Sequence, residues 1–204
     1  MHRSRKKWLY LITGFSYGKE KIQEALRAGV DVIQLREKNI SSAEYLCRAK
    51  ILVEMAQNTG TKVIINDRVD IALLSGAHGV HLGQDDVPAQ DARRLMGSGK
   101  VIGVTAKTQE QAKAAEAAGA DYLGSGAWFP TSTKQDAVPI TQERYREILE
   151  AVSIPDVAVG GITVENCGVP LACGCDGLAV SSGIMKAADI SGTVRRFRRI
   201  LDTW

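Results

Sequence analysis

At 204 residues the chain has room for one domain and little for a second. An apolar fraction of 45% is that of an ordinary globular protein, and a formal net charge of +3 is too small to indicate a nucleic-acid partner. No apolar run approaches the roughly 20 residues that span a bilayer, so no membrane partner is expected either.

The one dense basic block, 2–7, reads as a solvated tail. The apolar run 8–15 is shorter than the core of a secretory signal and lacks a small-residue cleavage site. It leads into a charged helix, so it is read as a first strand. Cys173 and Cys175 are one residue apart, not the two of a redox or zinc motif, and no histidine cluster accompanies them or Cys47 and Cys167. Reduced thiols in a cytoplasmic protein are the expectation.

Short apolar runs then alternate with helical patterns. WLYLIT (8–13) is the first strand, and 18–28 a helix with Ile22, Ala25 and Leu26 on one face. VDVIQL (30–35) is the second. The segment 42–58 carries Tyr45, Ala49, Leu52 and Ala56 at helical spacing, with Ser41 or Ser42 as its cap. KVIIN (62–66) precedes a short helix at 69–75, and GVHLG (79–83) precedes one at 88–96, opened by Pro88. VIGVTA (101–106) is followed by the strong helix former 108–118. After DYLGSGA (121–127), the stretch 128–140 has no helical period and is expected to be a long loop, with a helix at 141–152 opening on Thr141. DVAVGG (156–161) leads to 163–172, a helix weakened by Gly168 and Pro170. GLAVSS (177–182) leads to a basic amphipathic helix, 189–201.

AGVD (28–31), AGAD (118–121) and CGCD (173–176) share one ending, in which a helix closes on glycine and a strand follows at once. That is the short αβ loop of a repeating β/α array, and eight such units imply a parallel sheet. The expectation is a single (β/α)8 TIM barrel over 1–204. The alternative, a doubly wound open sheet, lacks its Gly-rich dinucleotide loop after the first strand.

In a barrel, chemistry sits just past the C-terminal ends of the strands. The second strand ends in Gln34-Leu35-Arg36-Glu37-Lys38, and alternation sends Gln34, Arg36 and Lys38 one way and Leu35 the other. An amide and two cations suit a many-oxygened anion such as a diphosphate. Asp67 follows the third strand and Asp86 the fourth; together with phosphate oxygens they describe a Mg²⁺ site. Each could instead cap the helix after it. Thr105 and Lys107 close the fifth strand, and Thr131, Ser132, Thr133 and Lys134 follow the sixth. Gly160-Gly161 and Ser181-Ser182 end the seventh and eighth, the usual phosphate site of such barrels. Neither His78 nor His81 has an evident partner.

The blocks VIQLREK (32–38), IINDRVDIAL (64–73), GVHLGQDD (79–86), IGVTAKT (102–108), ADYLGSGAWFPTSTK (120–134), VAVGGIT-EN (157–166) and DGLAVSSGI (176–184) resemble the thiamine-phosphate synthase family, in family order and along nearly the whole chain. The resemblance implies that Gln34, Leu35, Arg36, Glu37, Lys38, Asn66, Thr105 and Lys134 hold a pyrimidine diphosphate. It implies that Asp67 and Asp86 bind Mg²⁺, and that Thr131, Ser132, Thr133, Gly161, Ser181 and Ser182 hold a thiazole phosphate. Arg36, Lys38 and Lys134 would take up charge on the departing diphosphate. Gly14 stands where an acidic residue commonly follows the first strand's Thr, Thr105 where Ser is usual, and Lys107 where His is common. Rival readings are a thiazole tautomerase, which lacks the paired acids, a silent barrel that only binds a thiamine precursor, and a phosphosugar isomerase. The oligomeric state is left open, a homo-oligomer included.

Overall fold

The computed structural model describes residues 6–130 and 139–204. Eight strands, β1 (Trp8–Thr13), β2 (Val32–Leu35), β3 (Lys62–Asn66), β4 (Gly79–Leu82), β5 (Val101–Ala106), β6 (Tyr122–Gly126), β7 (Asp156–Val159) and β8 (Gly177–Val180), pair in parallel and in chain order. The last closes on the first, with Trp8 opposite Gly177 and Leu11 opposite Val180. That closure decides for the barrel and against the open sheet. Around it lie α1 (Lys19–Ala28), α2 (Ser42–Ala56), α3 (Val69–Ser75), α4 (Ala89–Met96), α5 (Gln109–Ala117), α6 (Gln142–Ala151), α7 (Gly168–Ala172), α8 (Ser182–Met185) and α9 (Ile190–Leu201). No helix among the described residues is long and apolar enough to cross a membrane.

Three elements depart from the sequence reading. The helix expected over 163–172 shrinks to α7, because the Asn166 side chain holds the preceding turn by accepting from Thr163 N at 2.8 Å. The single turn α8, and a 3-10 turn at Phe15–Tyr17, are too short for a hydrophobic period to reveal them.

Strand alternation divides the core in two. Leu9, Leu11, Ile33, Leu35, Val63, Ile65, Val80 and Leu82 point outward and pack with the inner faces of the helices. Burying each such side chain stabilises the fold by roughly 1.5–3 kcal/mol, so this outer layer is the main adhesive. The lumen is thinner, with Tyr10, Tyr122, Val157 and Ala179 at its centre. Small residues make room there: a Cβ at Gly103 would lie 2.1 Å from the Tyr122 ring, and one at Gly124 would lie 2.9 Å from His81.

The repeated glycine-aspartate ending has a purpose at both residues. Gly29, Gly119 and Gly174 all take φ between 87° and 98°, the left-handed turn that stops a helix. The aspartate two residues on then accepts from one of the first two amides of a neighbouring strand: Asp31 from Leu9 N at 2.8 Å, Asp121 from Ile102 N at 2.7 Å, Asp176 from Asp156 N at 3.0 Å. At the foot of the barrel, three strand ends are thus closed by the same bond.

Candidate active site

The C-terminal mouth of the barrel opens into a cavity of about 400 Å³. Tyr10, Gln34, His81 and Thr105 reach it from the lumen; Arg36, Lys38, Asn66, Asp67, Asp86 and Lys107 line the side above β2 to β5; Gly160, Gly161, Ile162, Ser181 and Ser182 line the side above β7 and β8. Strand alternation explains the selection, since Gln34 and Arg36 share the inward parity of Val32 on the same strand.

The two acids meet. Asp67 follows β3 with φ of 64°, a left-handed conformation uncommon outside glycine, and its amide donates to His81 O at 2.8 Å. Its Oδ2 accepts from Lys38 Nζ at 2.6 Å. Asp86 Oδ2 accepts from Gly83 N at 2.7 Å. Burial, and then the neighbouring Asp67 carboxyl, push the Asp86 pKa up, against the pull of the Gly83 amide and Lys38. Neither acid caps a helix: Arg68 and Pro88 precede α3 and α4, without side-chain caps. Two carboxyls crowded together beside a partly exposed lysine suit a divalent cation. Among the described residues no group of three or more His, Cys, Asp and Glu side chains stands together, so the chain offers two carboxylates and leaves other positions to substrate oxygens or water. Mg²⁺ accepts that arrangement.

Two side chains of the expected diphosphate set point elsewhere. Leu35 is fully buried in the outer core, on the opposite face of β2 from Gln34. Glu37 accepts from Phe15 N at 2.8 Å and pairs with Arg48 at 2.9 Å, which ties the 3-10 turn to α2. Both are corrections to the block taken whole from the resemblance. Thr131, Ser132, Thr133 and Lys134 lie outside the described residues.

His81, read from the sequence as lacking a partner, has two: Nδ1 stands 3.0 Å from the Tyr122 hydroxyl and Nε2 3.0 Å from Thr105 Oγ1. Burial pushes its pKa down to about 4, so the ring is neutral at ordinary pH. Its inward position between Gly79 and Gly83 on β4 was the available signal. On the opposite wall a Cβ at Gly161 would lie 2.6 Å from Pro130 O, and φ there is 63°. Asn166, which closes the block 157–166 but was given no role, steadies this loop by donating to Gly161 O at 2.9 Å.

With this geometry in hand, the family profile described as thiamine monophosphate synthase matches residues 9–184. The chain belongs to the thiamine monophosphate synthase family. The thiamine-phosphate synthase of Methanobrevibacter smithii is 46% identical, over 88% of each chain. That of Clostridioides difficile is 44% identical, over 93% of this chain and 92% of the relative. A solved structure, thiamine phosphate pyrophosphorylase from Pyrococcus furiosus, superposes with a TM-score of 0.89 at 38% identity, covering 97% of this chain and 96% of its own. Membership of this synthase family makes the chain a transferase of thiamine biosynthesis, acting on small molecules.

Proposed function

We propose that the chain joins a hydroxymethylpyrimidine diphosphate to a thiazole phosphate, releasing diphosphate and forming thiamine phosphate, with Mg²⁺ held by Asp67 and Asp86. The observation that carries this reading is the acid pair beside Lys38, across the cavity from a wall of glycine and serine. When bound, the metal would supply positive charge to the departing diphosphate. Arg36 and Lys38, with Lys134 from the segment that follows β6 in sequence, take up the rest of that charge. Gln34, Asn66 and Thr105 hold the pyrimidine. Gly161, Ser181 and Ser182, with Thr131, Ser132 and Thr133, hold the thiazole phosphate. The C–O bond to the diphosphate breaks first, its electron pair leaving with the oxygen, and the thiazole nitrogen then attacks the pyrimidine-methyl cation. The chain contributes by holding the two rings in line and by meeting charge where it develops. It needs no general base, in keeping with a neutral His81. The acid pair also argues against a tautomerase, which has no diphosphate to manage. A cytoplasmic setting belongs to the same reading and agrees with four free thiols.

Purified protein given both substrates and Mg²⁺ is expected to release diphosphate and form thiamine phosphate; absence of product at saturating substrate rejects the proposal. Asp67→Ala and Asp86→Ala should each lose about 100-fold or more in kcat while the fold persists by circular dichroism. Full activity in either variant removes that residue from the metal site.

A further inference from the structure

Five polar side chains cross the floor of the cavity in an unbroken row. Gln34 Nε2 donates to the Tyr10 hydroxyl at 2.8 Å, and the Tyr10 and Tyr122 hydroxyls are 2.9 Å apart. Tyr122 stands 3.0 Å from His81 Nδ1, and His81 Nε2 stands 3.0 Å from Thr105 Oγ1. Tyr10 and Tyr122 are 2% exposed, so their hydroxyl protons must find acceptors inside the row.

Counting protons gives the row a direction. The Gln34 amide occupies the Tyr10 oxygen as a donor, so the Tyr10 proton goes to Tyr122. Tyr122 then gives its own proton to Nδ1. A neutral imidazole has one N–H, which therefore sits on Nε2 and donates to Thr105. The Thr105 oxygen is used as an acceptor, and its own hydrogen has no acceptor among the described residues; it is left for the cavity that Thr105 lines. Turning the Gln34 amide over would reverse every bond, and Thr105 would spend its hydrogen on His81. One amide on β2 thus sets a hydroxyl on β5 through three intervening side chains.

We propose that Tyr10, Tyr122 and His81 are positioning residues, which transmit the orientation of the Gln34 amide across the barrel and hold the Thr105 O–H as a donor aimed into the cavity. The floor then presents an acceptor, Gln34 Oε1, and a donor, Thr105 Oγ–H. An amino-substituted nitrogen heterocycle carries the complementary pair, an amino donor and a ring-nitrogen acceptor. The ligand named here rests on the proposed function; the direction of the row does not.

The test has two parts. Imidazole ¹⁵N NMR of the full chain without substrates should show His81 as the Nε2–H tautomer with Nδ1 bare. A protonated Nδ1 overturns the direction, whatever the activity. Tyr122→Phe keeps the ring and removes the donor to Nδ1. It should raise the KM for the pyrimidine diphosphate about tenfold, the loss of one well-placed hydrogen bond. The KM for the thiazole phosphate should stay within about twofold. Thr105→Val should show the same split, and the double variant should be no worse than either single one, because both break one unit. Tyr10→Phe gives the same reading should Tyr122→Phe fold poorly. An unchanged pyrimidine KM, or equal losses for both substrates, overturns the positioning role. A wild-type protein without synthase activity would overturn the proposed function instead, with the tautomer still deciding the row.

Discussion

Asp156 offers a quantitative test of how the foot of the barrel is held, separate from the chemistry at its mouth. It is fully buried at the start of β7, and its carboxylate accepts from the Ser125 and Tyr145 hydroxyls. Burial pushes its pKa up to about 7 from 3.8; the two hydroxyls pull the other way, and Asp176 adds to the rise. Between those values the folded chain keeps a proton that the unfolded chain has released. The stability this group contributes is therefore present in full below the unfolded pKa and is lost as pH rises through the folded one. The loss is about 1.4 kcal/mol per pH unit, or about 4 kcal/mol across the window as an upper figure. Asp156→Asn keeps the shape and cannot ionise. Urea unfolding of both proteins at about pH 5 and about pH 8 should show the variant gaining about 2–3 kcal/mol on the wild type between the two conditions. The kcat should be unchanged, because the residue lies at the end of β7 away from the cavity. Parallel pH dependences for the two proteins would refute the assignment of a protonated carboxyl.

Two further substitutions probe other parts of the structure. Gly161→Ala places a methyl 2.6 Å from Pro130 O at a φ of 63°; it should destabilise by roughly 1–3 kcal/mol and raise the KM for the thiazole phosphate, and an unaltered KM would remove this wall from that substrate's site. Asp31→Ala removes the acceptor of Leu9 N at 2.8 Å and the partner of Lys6 at 2.6 Å and Arg198 at 2.9 Å; unfolding in urea should show a loss of roughly 1.5–3 kcal/mol, and an unchanged midpoint would deny the bond its role at the barrel foot.

What could be read from the sequence was local. The buried strands announce themselves as runs of Val, Ile and Leu, and the three glycine-aspartate endings mark αβ turns, because both depend on residues within a few positions of each other. The position of the acids just past β3 and β4 was equally legible, as was the inward parity of Gln34 and Arg36. Alternation had also put Leu35 on the other face of its strand; it joined the expected site only because the resemblance supplied that block whole. The floor of the cavity was not legible. Tyr10 and Tyr122 share a hydrogen bond across 112 positions, and nothing near either residue names the other until the barrel closes. The same holds for His81, whose partners lie on β5 and β6.

The same residue type serves opposite ends of this barrel, and what distinguishes the roles is the partner. At the foot, Asp31, Asp121 and Asp176 each accept a strand amide, and their charge completes the backbone. At the mouth, Asp67 accepts from no backbone amide among the described residues and faces Lys38 and another carboxyl instead. A fold gains nothing by crowding two acids with so little compensation, since one raises the pKa of the other. Under the proposed function, a divalent metal ion would supply the positive charge that the pair calls for. The aspartates at the foot each take a strand amide; at the mouth Asp86 also takes an amide, that of Gly83, but stands against a second carboxyl that raises its pKa.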